Sequence, residues 1–305
     1  MINVVLCAGE NSAQYGAVVM SSAIAHTEVP GQLHFYWLTP GLSADTRSQL
    51  HTLTEATGAH LDIIEINDDL PRTVDLGRFG ISTLLRLCMH HYLPKDCDRV
   101  IYFDCDVLVL GDLAELWATQ LEGRALGAVM DLCGPSGLGS RAEPFDYFNA
   151  GVLLVDLEKW KEAKIGERAL ACFNQKELPL KYLDQDALNH VLSGDWVKLS
   201  PAWNLQPTAY AAVEKGYSHL QPVLVDLQNA IRFPRIIHFI GSIKPWHAQC
   251  VHPLQGLFIH YSRSTPWPID LKDLRKTLPF SKRIRLALKK RKIKRRAAMT
   301  AYRTK

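Results

Sequence analysis

The chain has 305 residues, 47% hydrophobic and 22% charged, with 19 Gly and 16 Pro, a globular composition that excludes a collagen, a coiled coil or a mainly disordered chain. That length suffices for one large α/β domain or two small ones, and the longest apolar run, Val100 to Leu110, is broken by Asp104 and Asp106, so a membrane-spanning helix is excluded. The formal net charge of +4 conceals a split: residues 281–305 hold twelve Lys or Arg and no acid, leaving 23 basic against 31 acidic side chains in residues 1–280, a net of −8.

In chain order, Ile2–Ala8 reads as a buried first strand. No basic leader precedes its apolar residues and Glu10 follows at once, which is not the pattern of a signal peptide. Leu33–Leu38 and Leu61–Ile66 read as further strands. Between them, Ala13–Ala25 and Ala44–Thr57 have helical patterning, the second with Ser43 as N-cap and Gly58 just past its end. Ile81–Tyr92 reads as a helix stopped by Pro94, and Arg99–Phe103 as a strand. This β-α-β-α-β order predicts right-handed crossovers and a mainly parallel sheet, whose ligands bind outside the carboxyl ends of the strands. In the second half, Val152–Asp156 and Ile236–Phe239 read as strands, and Glu158–Gln175 and Asp186–Leu192 as helices. Residues 262–280, with Pro266, Pro268 and Pro279, read as a linker, which divides the chain into a domain over 1–262 and a linker with basic tail over 263–305. The seven cysteines (7, 88, 97, 105, 133, 172, 250) are scattered, with no Cys-x-x-Cys pair. Free thiols in a reducing cytoplasm fit that pattern better than disulfides or a zinc cage.

Three constellations have chemical content. Of three Asp-x-Asp triplets, Asp96/Asp98 lies in a Pro-Lys-flanked loop, whereas Asp104/Asp106 is enclosed by Val-Ile-Tyr-Phe and Val-Leu-Val-Leu. There an unpaired carboxylate would cost several kcal/mol. At a strand end both can converge on one hard cation; the alternative is one Asp capping a loop and the other paired to an Arg. His238 follows another apolar strand and is trailed by Gly241 and Lys244. Imidazole serves divalent first-row metals beside carboxylates, Gly permits close backbone approach to an anion, and Lys can meet a phosphate. The alternative is a structural histidine. Finally, Phe148-Asn149-Ala150-Gly151 before a strand and Asp184-Gln185-Asp186 opening a helix suit recognition of sugar hydroxyls, with helix capping as the alternative for the two acids.

Together and in this order, VIYFDCDVLVLGDLAELW, LGAVMDL, YFNAGVLLVDLEKW, YLDQDALN and HFIGSIKPWH resemble glycosyltransferase family eight, most closely its bacterial lipooligosaccharide and lipopolysaccharide α-galactosyltransferase branch, over roughly residues 2–262. The resemblance implies a GT-A fold, a Rossmann-like, mainly parallel α/β sheet flanked by helices. It also implies Mn²⁺ (or Mg²⁺) as cofactor, and retaining transfer of galactose or glucose from UDP-galactose or UDP-glucose to a lipid-linked or oligosaccharide acceptor. Residue by residue, it assigns Asp104, Asp106 and His238 to the metal and Gly241 and Lys244 to the diphosphate. It assigns Arg86, Cys105, Asp131, Asn149, Ala150, Asp184 and Gln185 to the donor, with Gln185 near the anomeric carbon. Cys7, Ala8 and Asn11 match the stretch that holds the uridine. One position departs: Gly9 stands where the family usually has an Asp against the uracil ring, leaving Glu10 or the backbone to hold the base. Retention by carboxylates normally needs a nucleophile opposite the leaving group. An amide on that face is a poor one, so front-face attack assisted by the departing phosphate is expected, with Lys244 in the electrostatic clamp and Asp186 as the rival covalent nucleophile. A catalytically inactive GT-A domain that binds a sugar nucleotide or glycan is the alternative function.

Phe280, Ile284 and Leu288 recur at i, i+4 and i+8 among the tail's cations. A basic amphipathic segment of this kind suits the anionic inner leaflet, each cation contributing about 1 kcal/mol near the surface. The expected placement is therefore cytoplasmic, peripheral on the inner face of the plasma membrane. No nucleic-acid partner is expected, because the acidic body would repel a polyanion.

Overall fold

The computed structural model of the chain describes residues 1–66, 82–133, 147–175, 178 and 180–302. Strands β1 (Ile2–Cys7), β2 (Leu33–Thr39) and β3 (His60–Glu65) alternate with helices α1 (Glu10–His26) and α2 (Ala44–Glu55). Next come α3 (Ser82–Tyr92), β4 (Arg99–Phe103), β5 (Val107–Val109), α4 (Leu113–Trp117), β6 (Leu126–Met130) and β7 (Phe148–Asp156). The second half holds α5 (Leu157–Glu162), α6 (Ile165–Cys172), α7 (Asp184–Leu192), β8 (Val197–Lys198), α8 (Thr208–Lys215), α9 (Leu224–Arg232) and β9 (Ile236–His238). Helices α10 (Gln255–Ser262), α11 (Leu271–Lys276) and α12 (Phe280–Ala297) complete it.

A seven-stranded sheet has the order β3-β2-β1-β4-β7-β6-β8, and β5 pairs with β9 in a small antiparallel ribbon. The sheet is mainly parallel, as the alternating elements predict; β7 alone runs against its neighbours β4 and β6. Successive residues of β1 enter opposite layers. Val4 and Leu6 pack with Ala17, Met20, Trp37 and Leu50, while Val5 and Cys7 pack with Leu85, Tyr102, Leu153 and Tyr210. Both faces of the sheet are thus covered, the arrangement parallel strands require.

Four elements differ from the sequence reading. Residues 158–175 form two helices, not one. The chain breaks at Lys164, in the left-handed region at φ 50°, so that α6 can lie against α3, so close that a Cβ on Gly166 would stand 2.2 Å from the Leu87 carbonyl oxygen. Strand β7 begins at Phe148, four residues earlier than expected, because Phe148 and Asn149 pair with Met130 and Val129 across a register shift. Helix α7 takes in Asp184 and Gln185. The proline-containing linker holds α11, N-capped by Asp270, which accepts from the Lys272 N–H at 2.7 Å. Of the expected helix Ile81–Tyr92, Ile81 lies outside the described residues.

The C-terminal segment folds back on the body. Arg296 makes two 2.8 Å bonds to Glu214, the Ala301 N–H donates to the Arg232 carbonyl at 2.7 Å, and the Tyr302 hydroxyl lies 2.8 Å from His26 Nε2. Among the described residues no helix is long and apolar enough to cross a membrane, and all seven cysteines are free thiols.

Candidate active site

The topology gathers residues distant in sequence at one edge of the sheet. Strands β1, β4 and β6 end there, at Cys7, Phe103 and Met130, while the reversed β7 starts there with Phe148 and Asn149. Two backbone bonds tie these ends together: the Asp104 N–H donates to the Gly151 carbonyl and the Asp131 N–H to the Tyr147 carbonyl, both at 2.9 Å. Asp104 and Asp106 therefore occupy the turn between β4 and β5, and the β5–β9 ribbon brings His238 opposite Val107.

The carboxylates of Asp104 and Asp106 and Nε2 of His238 converge, their ligand atoms lying within 4.8 Å of one another. His238 Nε2 is 3.2 Å from Asp106 Oδ1 and 3.8 Å from Asp104 Oδ2. Two hard oxygens and an imidazole nitrogen are a donor set that fits a divalent first-row cation. Lys244 Nζ binds the other oxygen of Asp106. Burial alone would raise the Asp106 pKa, but the His238 and Lys244 charges hold it well below the usual carboxylate range. The Lys244 loop is fixed from behind. Gln255 Nε2 donates to the carbonyls of Pro245 at 2.8 Å and His247 at 3.2 Å, and Trp246 stacks on Tyr15 with ring centroids 3.6 Å apart. Gly241 has φ 104°, a conformation side-chain-bearing residues avoid, which explains glycine at the bend between His238 and Lys244.

Arg86, on α3, reaches the same edge. It pairs with Asp104, lies 2.8 Å from Asp184 Oδ2, donates to the Ala150 carbonyl at 2.9 Å and stacks 4.3 Å above the Tyr102 ring. Burial opposes its charge, but Asp104 and Asp184 keep it protonated. Asp184 has the reverse balance: burial, only partly offset by Arg86, pushes its pKa up to about 6. Burial likewise raises the thiols of Cys7 and Cys105, so neither is a ready thiolate.

Gln185 uses all its amide capacity. Its oxygen accepts from the Ala150 N–H and from Asn149 Nδ2, each at 3.1 Å; its NH₂ donates to Asp131 Oδ2 at 3.1 Å and to the Tyr147 hydroxyl at 3.2 Å. Asp186 is held at both oxygens, by the Tyr147 hydroxyl and by the Tyr182 N–H. Leu183, just before α7, has φ 42°; strained backbone of this kind is favoured where a site demands a fixed approach. Asn189 then locks α7 to β7 by a bond to each backbone group of Phe148, at 2.8 and 2.9 Å.

The sequence-derived residues Arg86, Asp104, Asp106, Asp131, Asn149, Ala150, Asp184, Gln185, His238 and Lys244 thus form one connected network, and Cys7 ends β1 beside it. The Ala8 backbone is already committed, its N–H to the Leu38 carbonyl at 3.0 Å and its carbonyl to Trp37 Nε1 at 2.9 Å. Asn11 is exposed on the first turn of α1. Glu10 faces α2 instead: its carboxylate accepts from the Ser43 N–H and hydroxyl at 2.9 Å and the Thr46 hydroxyl at 2.6 Å. Two contributors lie outside every motif, Asn204 and Gln206, and two that lie within motifs, Tyr102 and Tyr147, had no role assigned. Gln206 donates to the Met130 carbonyl at 2.8 Å and accepts from the Leu132 N–H at 3.3 Å, gripping both sides of Asp131. The one available clue was two amides among the apolar Trp203-Asn204-Leu205-Gln206-Pro207.

A model of the family described as Glycosyl transferase family 8 matches residues 3–250. The lipopolysaccharide 1,2-glucosyltransferase of Escherichia coli (strain K12) is 28% identical over 267 residues, covering 82% of this chain and 75% of that protein. General stress protein A of Bacillus subtilis (strain 168) is 26% identical over 277 residues, 88% and 95% of the two chains. A crystal structure of the galactosyltransferase LgtC in complex with donor and acceptor sugar analogs matches with a TM-score of 0.74 and 29% identity over 92% of this chain and 99% of that one.

Proposed function

Because the chain belongs to glycosyltransferase family 8 and has the GT-A fold of LgtC, we propose that it transfers galactose or glucose from a UDP-sugar, with retention of configuration, to a lipopolysaccharide or related glycan acceptor. The observation that carries this reading is the meeting of Asp104, Asp106, His238 and Lys244 with Arg86, Asp184 and Gln185 at one sheet edge. The relatives named as lipopolysaccharide glucosyl- and galactosyltransferases, and the LgtC complex with donor and acceptor sugar analogs, support a nucleotide-sugar donor and a glycan acceptor.

In this reading Asp104, Asp106 and His238 hold Mn²⁺, which when bound supplies Lewis acidity toward the diphosphate leaving group. Lys244 and the Gly241 bend meet that diphosphate, so positive charge is fixed in advance where negative charge develops as the glycosidic bond breaks. Arg86 orients Asp104 and Asp184, and Asn149, Asp131 and Gln185 form the polar floor for donor-sugar hydroxyls. Gln185 is a neutral amide and a poor nucleophile, and both Asp186 oxygens are occupied by Tyr147 and Tyr182. These contacts favour front-face attack by the acceptor hydroxyl over a covalent adduct on Asp186. The tail, with its exposed Phe280, Ile284 and Leu288, would hold the enzyme on the inner face of an anionic membrane, where lipid-linked acceptors reside.

The test is UDP release from UDP-galactose or UDP-glucose with Mn²⁺. Turnover by the wild type, reduced about a hundred- to a thousandfold in Asp104→Ala as expected for loss of a charge-stabilising group, supports the enzyme. Binding of UDP-sugar without turnover would leave an inactive sugar-nucleotide module.

A further inference from the structure

Asn204 lies outside every motif, yet only 1% of it is exposed, and it is wedged between His238 and Asn149, themselves 2% and 5% exposed. Its place is set by backbone. The Leu205 N–H donates to the Ile236 carbonyl at 2.8 Å and the His238 N–H to the Leu205 carbonyl at 3.0 Å, so residues 204–205 run as an extra rung beside β9.

The direction of every hydrogen bond through this cluster follows from one backbone group. The Gly151 N–H, which can only donate, faces Asn149 Oδ1 at 3.1 Å. Asn149 Nδ2 must then point at Asp131 Oδ2 (3.2 Å) and Gln185 Oε1 (3.1 Å), both acceptors. Asn204 approaches that same Asn149 oxygen at 2.9 Å, so it presents Nδ2 there and Oδ1 to His238 Nδ1, 3.0 Å away. The flipped amide would set two buried oxygens against each other with no hydrogen between them, leaving both unsatisfied away from water. An amide oxygen only accepts, so Nδ1 of His238 carries a proton, and Nε2, which faces Asp104 and Asp106, is the nitrogen left to bind a cation held by those carboxylates.

We propose that Asn204 is a positioning residue that fixes His238 in the Nδ1–H tautomer required of a metal ligand and, through Asn149, holds Gln185 in register with it. The proposal rests on the metal-site reading above. One amide thereby joins the metal-facing and sugar-facing halves of the site, and outer groups of this kind typically set metal affinity by about 10–100-fold.

The full-length wild type, Asn204→Leu and Asn204→Asp are compared without donor, by Mn²⁺ titration followed by electron paramagnetic resonance and by two-dimensional ¹H–¹⁵N spectra of the His238 ring. Donor KM is measured alongside. Asn204→Leu removes both bonds: it should weaken Mn²⁺ binding by about 10–100-fold and abolish the exclusive Nδ1–H signature. Asn204→Asp keeps an acceptor for His238 but offers Asn149 no donor, so it should hold Mn²⁺ affinity within about threefold while donor KM rises about tenfold or more. Wild-type Mn²⁺ affinity and an unchanged ring spectrum in Asn204→Leu would overturn the proposal, as would an Asp variant that loses metal as severely as the Leu variant. A wild type that binds no Mn²⁺ overturns the metal-site reading instead, and the ring spectra of the three proteins then decide whether Asn204 sets the tautomer.

Discussion

At Gly151 a Cβ would stand 2.1 Å from Cε1 and 2.7 Å from Nδ1 of His238, so the ring can lie against β7 only because residue 151 has no side chain. Gly151→Ala has to push the imidazole off Asn204 and away from the two aspartates. It should lower Mn²⁺ affinity at least about tenfold, in the range of a disturbed ligand shell, and a calorimetric Mn²⁺ titration showing wild-type affinity would refute the role. The Asp104/Asp106 pair was legible because carboxylates between two apolar runs demand a partner, and His238, Gly241 and Lys244 because they follow one strand within seven residues. The role of Tyr147, although that residue opens YFNAGVLLVDLEKW, and that of Asn204 were not. Their partners Asp186 and His238 lie 39 and 34 positions away, and no local periodicity records a hydrogen bond closed by the fold. Glu10 carries the opposite lesson: its place beside Gly9 suggested a ligand role, but Ser43 and Thr46 at the start of α2 offer it three donors.

At the scale of elements, local rules succeeded where an element is specified by its own residues. Ser43 caps α2, accepting from the Thr46 N–H at 3.2 Å, and the parallel β1–β4 set follows from alternating apolar runs. They failed where a neighbour decides: the start of β7 depends on pairing with β6, and the break at Lys164 on the approach of α6 to α3. Helix α12 combines both influences. Its inner side is anchored by Leu286, packed with Leu278 and Ala248, and by Arg296 on Glu214, with Met299 beyond its end reaching the main core. Phe280, Ile284 and Leu288 remain 77%, 48% and 77% exposed. Deleting residues 281–305 would therefore uncover core as well as remove charge, and surface substitution is the cleaner experiment. Replacing Phe280, Ile284 and Leu288 together by Ser should leave the melting temperature within about 2 °C, as expected of exposed positions. It should cut flotation with anionic vesicles at least about tenfold, since inserted apolar side chains contribute about 1.5–3 kcal/mol each. Equal flotation would remove the apolar stripe from the membrane reading.

For the whole molecule, the +4 net charge is the sum of a −8 body and a +12 tail, and the two meet where α12 returns to the body. Glu214 receives Arg296 and lies 3.7 Å from Lys292, and the Arg296 guanidinium sits 5.7 Å from the Tyr210 ring. His252 is enclosed at this junction, its ring edge-on to Phe239 at 4.6 Å and to Tyr210 at 5.9 Å. Its Nδ1 accepts from the Leu254 N–H at 3.2 Å, which leaves Nε2 as the buried site for a second proton. Burial first, and Arg296 second, push the His252 pKa down from 6.5 to about 3. The folded state therefore favours the neutral ring. Its contribution to stability is fully present above pH 6.5, and is lost as the pH falls from 6.5 toward 3, because over that interval the unfolded chain binds a proton that the folded chain refuses. Between pH 7.5 and 5 the loss from this one group is about 2 kcal/mol. His252→Asn retains an acceptor for the Leu254 N–H but has nothing to titrate. Urea unfolding should show the wild type losing about 2 kcal/mol more than His252→Asn over that interval, and parallel losses in the two proteins would show that protonation of His252 does not loosen the seam between tail and body.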